Sequence, residues 1–290
     1  MLKLHMHSVV NTLFSLYCSF NNRRPNEELD PRLSIRSFAP TLPLILRQDD
    51  TSSPSRVLCN LFWRALPWCL IKQELEELRI LDTGCGSGAY GDYLNECSNG
   101  NVKTYTGLDV YEHPSWSLPT SLTKRFHLFN GKSIAPHIPQ ETNFFISQSA
   151  IEHFRDDQNY FLEIQKFIQS HPRPTLQVHL FPSVACLKLY GRHGYRQYTP
   201  RTVSKITWMF PDSECTLFTL GGPACNRVHD TYITQPMART GVDERKNKSD
   251  EYRHAVMNAI LEDQKSQTAL TDPSFWALVI CSYWKHPLEV

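Results

Sequence analysis

The residues of this chain best spaced to do chemistry lie in "RILDTGCGSGAYGDYL", Arg79 to Leu94, where three alternate glycines, Gly84, Gly86 and Gly88, follow closely on an aspartate, Asp82. Glycine reaches φ/ψ values closed to other residues and lets a ligand touch the backbone, while a helix starting near Ala89 turns its free N–H groups toward the same place. A second carboxylate, Asp109, follows 21 residues beyond Gly88 in "TYTGLDVYE", where a ribose diol would meet an acidic acceptor. Read in another frame, Gly86, Gly88 and Gly91 match the G-x-G-x-x-G pattern of dinucleotide sites, a weak signal when alone. Asp82 discriminates between the two ligands. A carboxylate entering the turn repels a pyrophosphate and attracts an α-amino group, and S-adenosylmethionine carries the amino group without the phosphates.

Three histidines could take a proton from an acceptor. His153 stands just past the apolar run of "TNFFISQSAIEHF", residues 142 to 154, and histidine titrates near neutral pH wherever it is accessible. In "LYGRHGYRQYTP", residues 189 to 200, the side chains of Arg192, His193, Tyr195 and Arg196 would line a pocket for an anionic or hydroxylated small molecule, since arginine binds carboxylate or phosphate in bidentate fashion. The competing reading is a solvated loop. His229 and Asn226 lie in "LGGPACNRVHDTYIT", residues 220 to 234, and the competing reading for His229 is a satisfied structural histidine. The nine cysteines are scattered without a Cys-x-x-Cys pair or any metal-ligand spacing, so no metal is expected and a reducing cytosol fits best.

These residues need elements to position them. Apolar runs predict strands near 79–83, 104–109, 125–129, 143–147, 175–181, 215–220 and 275–282, with helical patterns or long connections between most of them. Ser53 followed by Pro54 predicts a helix start, with Leu58, Leu61, Phe62 and Ala65 on one face. Asp156 or Asp157 would cap a second helix that Pro172 and Pro174 end, Thr199 before Pro200 a third, and Ser249 would open a fourth. Alternating strands and helices imply an α/β, Rossmann-like fold: a seven-stranded, mostly parallel sheet with helices on both faces and the last strand antiparallel. Residues 1–56 read as an amino-terminal helical extension and irregular arm. Residues 57–290 read as the catalytic domain, with an insertion at about 225–272.

At the glycine stretch the chain resembles the class I S-adenosylmethionine-dependent methyltransferases, small-molecule branch. "LDTGCGSG" is similar to their first motif, Asp109 to the acid that meets the ribose hydroxyls, and "TNFFISQSAIEHF" to their fourth strand and following turn. The resemblance covers roughly residues 57 to 181. It implies that Asp82, Gly84, Gly86 and Gly88 hold the methionine part, Asp109 the ribose, and Gln148 with Ser149 the floor beneath the sulfonium. The third-strand motif of the family often ends in Gly-Asp, the aspartate meeting the adenine amine. Here "FNGKS" has Lys132 in that place, and by the resemblance Asn130 would be the substitute. The Asn/Asp-Pro-Pro-aromatic motif of enzymes that methylate exocyclic base amines is missing, since "SQSA" stands there.

The expected activity is therefore methyl transfer from S-adenosylmethionine to a small acceptor, most readily at oxygen. Two alternatives are a non-catalytic protein that keeps the cofactor fold, and an NAD(P)-dependent oxidoreductase, which Asp82 argues against. A formal net charge of +1 over 290 residues argues against nucleic acid as partner. Membrane insertion is not expected, since no run of about 18 apolar residues occurs.

Overall fold

Adjacent residues along the strands enter opposite cores, which is what a sheet covered on both faces demands. Ile80, Phe144 and Val279 pack into one core, and their neighbours Leu81, Phe145 and Leu278 into the other. The computed structural model describes residues 9–10, 12–14, 16–18, 20–21, 24–46, 51–189, 191, 193–266 and 272–290. Its strands are β1 (Leu33–Ser37), β2 (Leu78–Thr83), β3 (Val102–Asp109), β4 (Lys124–Leu128), β5 (Phe144–Gln148), β6 (Thr175–Pro182), β7 (Ser213–Leu220) and β8 (Phe275–Ser282). They form one sheet in the order β1-β7-β8-β6-β5-β2-β3-β4, in which β8 alone runs antiparallel to its neighbours.

The sheet thus has eight strands where seven were expected. The additional one is β1, which pairs in parallel with β7 from Leu33 opposite Cys215 to Ser37 opposite Thr219. Its sequence reads as irregular because prolines and charges flank only five residues, and an edge strand needs no strong alternation. A polar clasp holds its start in place. The buried Asp30 accepts from Thr207 Oγ1 at 2.9 Å and pairs with Arg32 at 2.7 Å, and its own N–H donates to Ser204 Oγ at 2.6 Å.

The helices follow the capping signals. Ser53 accepts from the Arg56 N–H to open Pro54–Ala65, Asp156 accepts from Asn159 to open Asp157–Ser170, and Thr199 accepts from Thr202 to open Pro200–Thr207. Between β7 and β8 the chain forms Pro223–His229, a π-helical turn Asp230–Thr234, Gln235–Thr240 and Ser249–Lys265. Asp263 on the last of these is buried and accepts from the N–H groups of Gly222, Ala224 and Cys225 at 2.7, 2.9 and 3.0 Å, so one helix caps another. The described residues between 9 and 21 are helical, with Cys18 buried against Val184 and Leu187. No described helix is long and apolar enough to cross a membrane.

Candidate functional site

The chain builds β2, β3 and β4 outward in one direction and then places β5 on the other side of β2. Loops leaving β2 and β5 at their carboxyl ends therefore diverge and leave a crevice between them, the switch point at which parallel sheets bind ligands. The glycine turn follows β2 there, Asp109 ends β3, and Gln148 and Ser149 end β5.

Within the turn Gly84, Gly86 and Gly88 all have positive φ, at 78°, 52° and 75°. Two of them show what the glycines are for. A Cβ on Gly84 would lie 2.4 Å from that of Ala150, so the turn can sit against the loop after β5 only without a side chain. A Cβ on Gly86 would meet nothing within 4 Å, so that residue faces open space and leaves it free for a ligand. From the far side Ser115 Oγ donates to the Ser87 carbonyl at 2.7 Å, and Trp116 Nε1 to that of Gly86 at 2.8 Å. Trp116 also stacks on Phe126 at 4.9 Å, which presses against Gly88.

Asp82 is buried and accepts a 2.5 Å hydrogen bond from Tyr105 Oη. Burial pushes its carboxyl up to about 7, with the Asp109 charge adding to the rise and the Tyr105 hydroxyl opposing it. Asp109 accepts from the N–H groups of Gly86 at 2.8 Å, Val110 at 2.7 Å and Tyr111 at 3.3 Å. A carboxylate offers about four lone-pair positions, so about one remains. Asn130 folds onto its own turn, accepting from Lys132 and Ser133 N–H, and its side chain is exposed.

At the end of β5, Gln148 is held at both ends of its amide. Trp63 Nε1 donates to Oε1 at 2.7 Å, and Nε2 donates to Tyr90 Oη, which also accepts from Arg56 at 2.8 Å. Both Trp63 and Arg56 belong to Pro54–Ala65, so this amino-terminal helix crosses the carboxyl edge of the sheet above the crevice. Ser149 has φ of 51° and donates its N–H to the Leu180 carbonyl at 2.8 Å.

A cavity of about 360 Å³ lies beside these groups, lined by Arg56, Cys59, Ser149, His193, His229 and Phe275 among others. It brings two of the three candidate histidines together. His229 is buried, with Nδ1 3.1 Å from Thr234 Oγ1, and burial next to Arg245 pushes it down to about 4. It is neutral at pH 7 and only weakly basic. His153 stands apart from the cavity lining, its Nε2 3.0 Å from Nε2 of His193. Beneath this pair Glu152 is fully buried, and neither carboxylate oxygen has a hydrogen-bond partner among the described residues.

Among the described residues, the loop's Arg196 does not supply the cavity's positive charge. Arg196 pairs with Asp157 at 2.8 Å, and Arg192 lies outside the described residues. Arg56 does so instead. Its sequence signal is weak, because the apolar stripe of its helix reads as core packing, although it is the charged residue of that helix's first turn. Trp63 and Tyr90 were missed for a similar reason, since aromatic residues in amphipathic helices read as packing.

No protein-family model matches the chain, and no curated protein does. Among solved structures it is similar to a SAM-dependent methyltransferase from Archaeoglobus fulgidus, with 15% identity over 83% of this chain and 100% of that one and a TM-score of 0.46. It is also similar to the plantazolicin methyltransferase BamL, solved with a triazolic desmethylPZN analog and SAH, with 12% identity over 83% and 88% of the two chains and a TM-score of 0.46. An S-adenosylmethionine-dependent methyltransferase from Mesorhizobium loti gives 15% identity, 78% and 97%, and 0.39. A likeness of this size assigns no role to any residue here. The sheet order and the crevice are the chain's own, and the crevice lies at the turn where the glycine spacing led a ligand to be expected. The fold is α/β and Rossmann-like, a mostly parallel sheet in which β8 alone is antiparallel.

Proposed function

We propose that the protein transfers a methyl group from S-adenosylmethionine to a small acceptor, most readily at an oxygen. The observation that carries the reading is the position of two carboxylates at one switch point, Asp82 beneath the glycine turn and Asp109 on the Gly86 N–H of that turn. The residues fit such a cofactor. An ammonium group suits a buried carboxyl whose charge is poorly compensated, and the open side of Gly86 leaves room for the ligand. Asp109 would receive the ribose hydroxyls and, to take both, would give up the Gly86 N–H. Phosphates would meet the Asp109 carboxylate and, as pH rises through about 7, a second negative charge on Asp82.

When bound, the cofactor supplies an electrophilic methyl on a sulfonium whose departure needs no acid. What remains for the chain is alignment and exclusion of water. Gln148, fixed by Trp63 and Tyr90, would form the wall between cofactor and acceptor. Arg56 in the adjoining cavity favours an anionic or hydroxylated acceptor. Of the three histidines, His193 is the one that both borders the cavity and is exposed, and it is the preferred proton acceptor.

Titration calorimetry tests the reading. Heat is expected on adding S-adenosylhomocysteine and should be lost in Asp109→Ala with the circular dichroism spectrum unchanged. Tight binding of NAD in its place would refute the proposal and favour an oxidoreductase. Binding without methyl incorporation from labelled cofactor into a metabolite extract would favour a non-catalytic role.

A further inference from the structure

The side chains of Glu152, His153 and His193 converge although they come from two separate segments, a 3-10 turn after β5 and the loop after β6. One potential ligand atom from each lies within 4.8 Å of the others. His153 Nε2 is 3.0 Å from His193 Nε2 and 3.9 Å from Glu152 Oε1. Two imidazole nitrogens bound to one ion at about 2.0–2.1 Å stand roughly 3 Å apart, so the histidine pair has the required separation.

Glu152 supplies an independent reason for a ligand. It is fully buried, and both its oxygens lack hydrogen-bond partners among the described residues. A buried carboxylate in that condition is costly unless a proton or a cation neutralises it. The backbone is organised around this position as well. The Glu152 carbonyl accepts from the Tyr195 N–H at 2.7 Å, and a Cβ on Gly194 would lie 2.3 Å from the same oxygen. The loop carrying His193 is thus hydrogen-bonded to the residue beneath it.

We propose that Glu152, His153 and His193 form a binding site for one divalent transition-metal ion. Two neutral imidazoles and one carboxylate suit Mn, Fe, Co or Zn better than Mg or Ca, which prefer all-oxygen sets. Three protein ligands leave coordination positions open, and His193 also lines the 360 Å³ cavity, so the ion lies at the wall of that cavity. If the cavity receives the methyl acceptor, which rests on the function proposed above, the ion would select acceptors with oxygen ligands such as adjacent hydroxyls, and His193, its Nε2 bound to the ion, would then hold the acceptor through the ion and would not take its proton.

The test uses the full chain stripped with chelator and titrated with Co²⁺ or Mn²⁺. Expected is saturable binding of one ion per chain, with a Co²⁺ absorption spectrum showing nitrogen ligation, and about tenfold or greater loss of affinity in His193→Ala and in Glu152→Gln. His193 is on an exposed loop, so its variant decides the matter should the buried Glu152→Gln fail to fold. Absence of saturable binding at millimolar ion, or binding unchanged in His193→Ala, would overturn the site. S-adenosylhomocysteine calorimetry on the same samples keeps the two proposals separate, since cofactor binding without metal binding sinks only this one.

Discussion

The Tyr105 hydroxyl donates a 2.5 Å hydrogen bond to Asp82 across the junction of β2 and β3, and both residues are buried. A neutral donor therefore meets this carboxyl where the proposed function places a cation. Burial pushes Asp82 up to about 7 from an ordinary 3.8, so the folded chain holds its proton more tightly than the unfolded chain does. The favourable contribution to folding is complete below about pH 4 and is lost as pH rises through about 7. Asp82→Asn should flatten that part of the stability profile and gain on the parent protein above pH 7, as read by urea midpoints at several pH values.

Cofactor binding should run the other way, because an ammonium group needs the ionised carboxyl. Affinity for S-adenosylhomocysteine is expected to rise about tenfold between pH 6 and 8 and to stay level in Asp82→Asn. Tyr105→Phe removes the opposing hydrogen bond and should move the rise to higher pH. A pH-independent affinity in the parent protein would contradict this account.

The glycines of the turn should separate stability from binding. Gly84→Ala meets Ala150 at 2.4 Å in a left-handed conformation and should cost several kcal/mol by the combination of strain and collision. Gly86→Ala carries the conformational cost of about 1–2 kcal/mol without a collision. Its thermal midpoint should fall less than that of Gly84→Ala, while its cofactor affinity should fall more than its stability.

Asp263 satisfies three orphan N–H groups at the start of Pro223–His229. Asp263→Ala leaves all three buried without a partner and should destabilise by about 2–4 kcal/mol in urea melts. Asp263→Asn retains acceptor capacity on one oxygen and should recover part of the loss. The helices between β7 and β8 should then exchange amide hydrogens faster than the sheet does.

What the sequence discloses follows the strength of local signals. Ser53-Pro54 and Thr199-Pro200 announce helix starts because capping is decided within four residues, and the apolar runs of β5, β6 and β8 announce strands because both faces are buried. β1 was not legible, since "LSIRS" is short and half-exposed and its partner β7 lies some 180 residues away. In the site, the glycine turn and Asp109 were legible through spacing. The meeting of Glu152 with His193 was not, because the two segments are joined only by folding and a single acidic residue gives no sign that it will be buried.

The pairing of β1 with β7 also bears on how the protein can be shortened. A truncation beginning at residue 51 would retain the crevice and the cavity yet strip the outermost strand, leaving the backbone of Cys215 to Thr219 unsatisfied along a bare margin. Such margins invite pairing with another molecule. Light scattering should find the shortened protein associating into large particles where the full chain stays monodisperse, in which case β1 serves as a built-in guard against self-association.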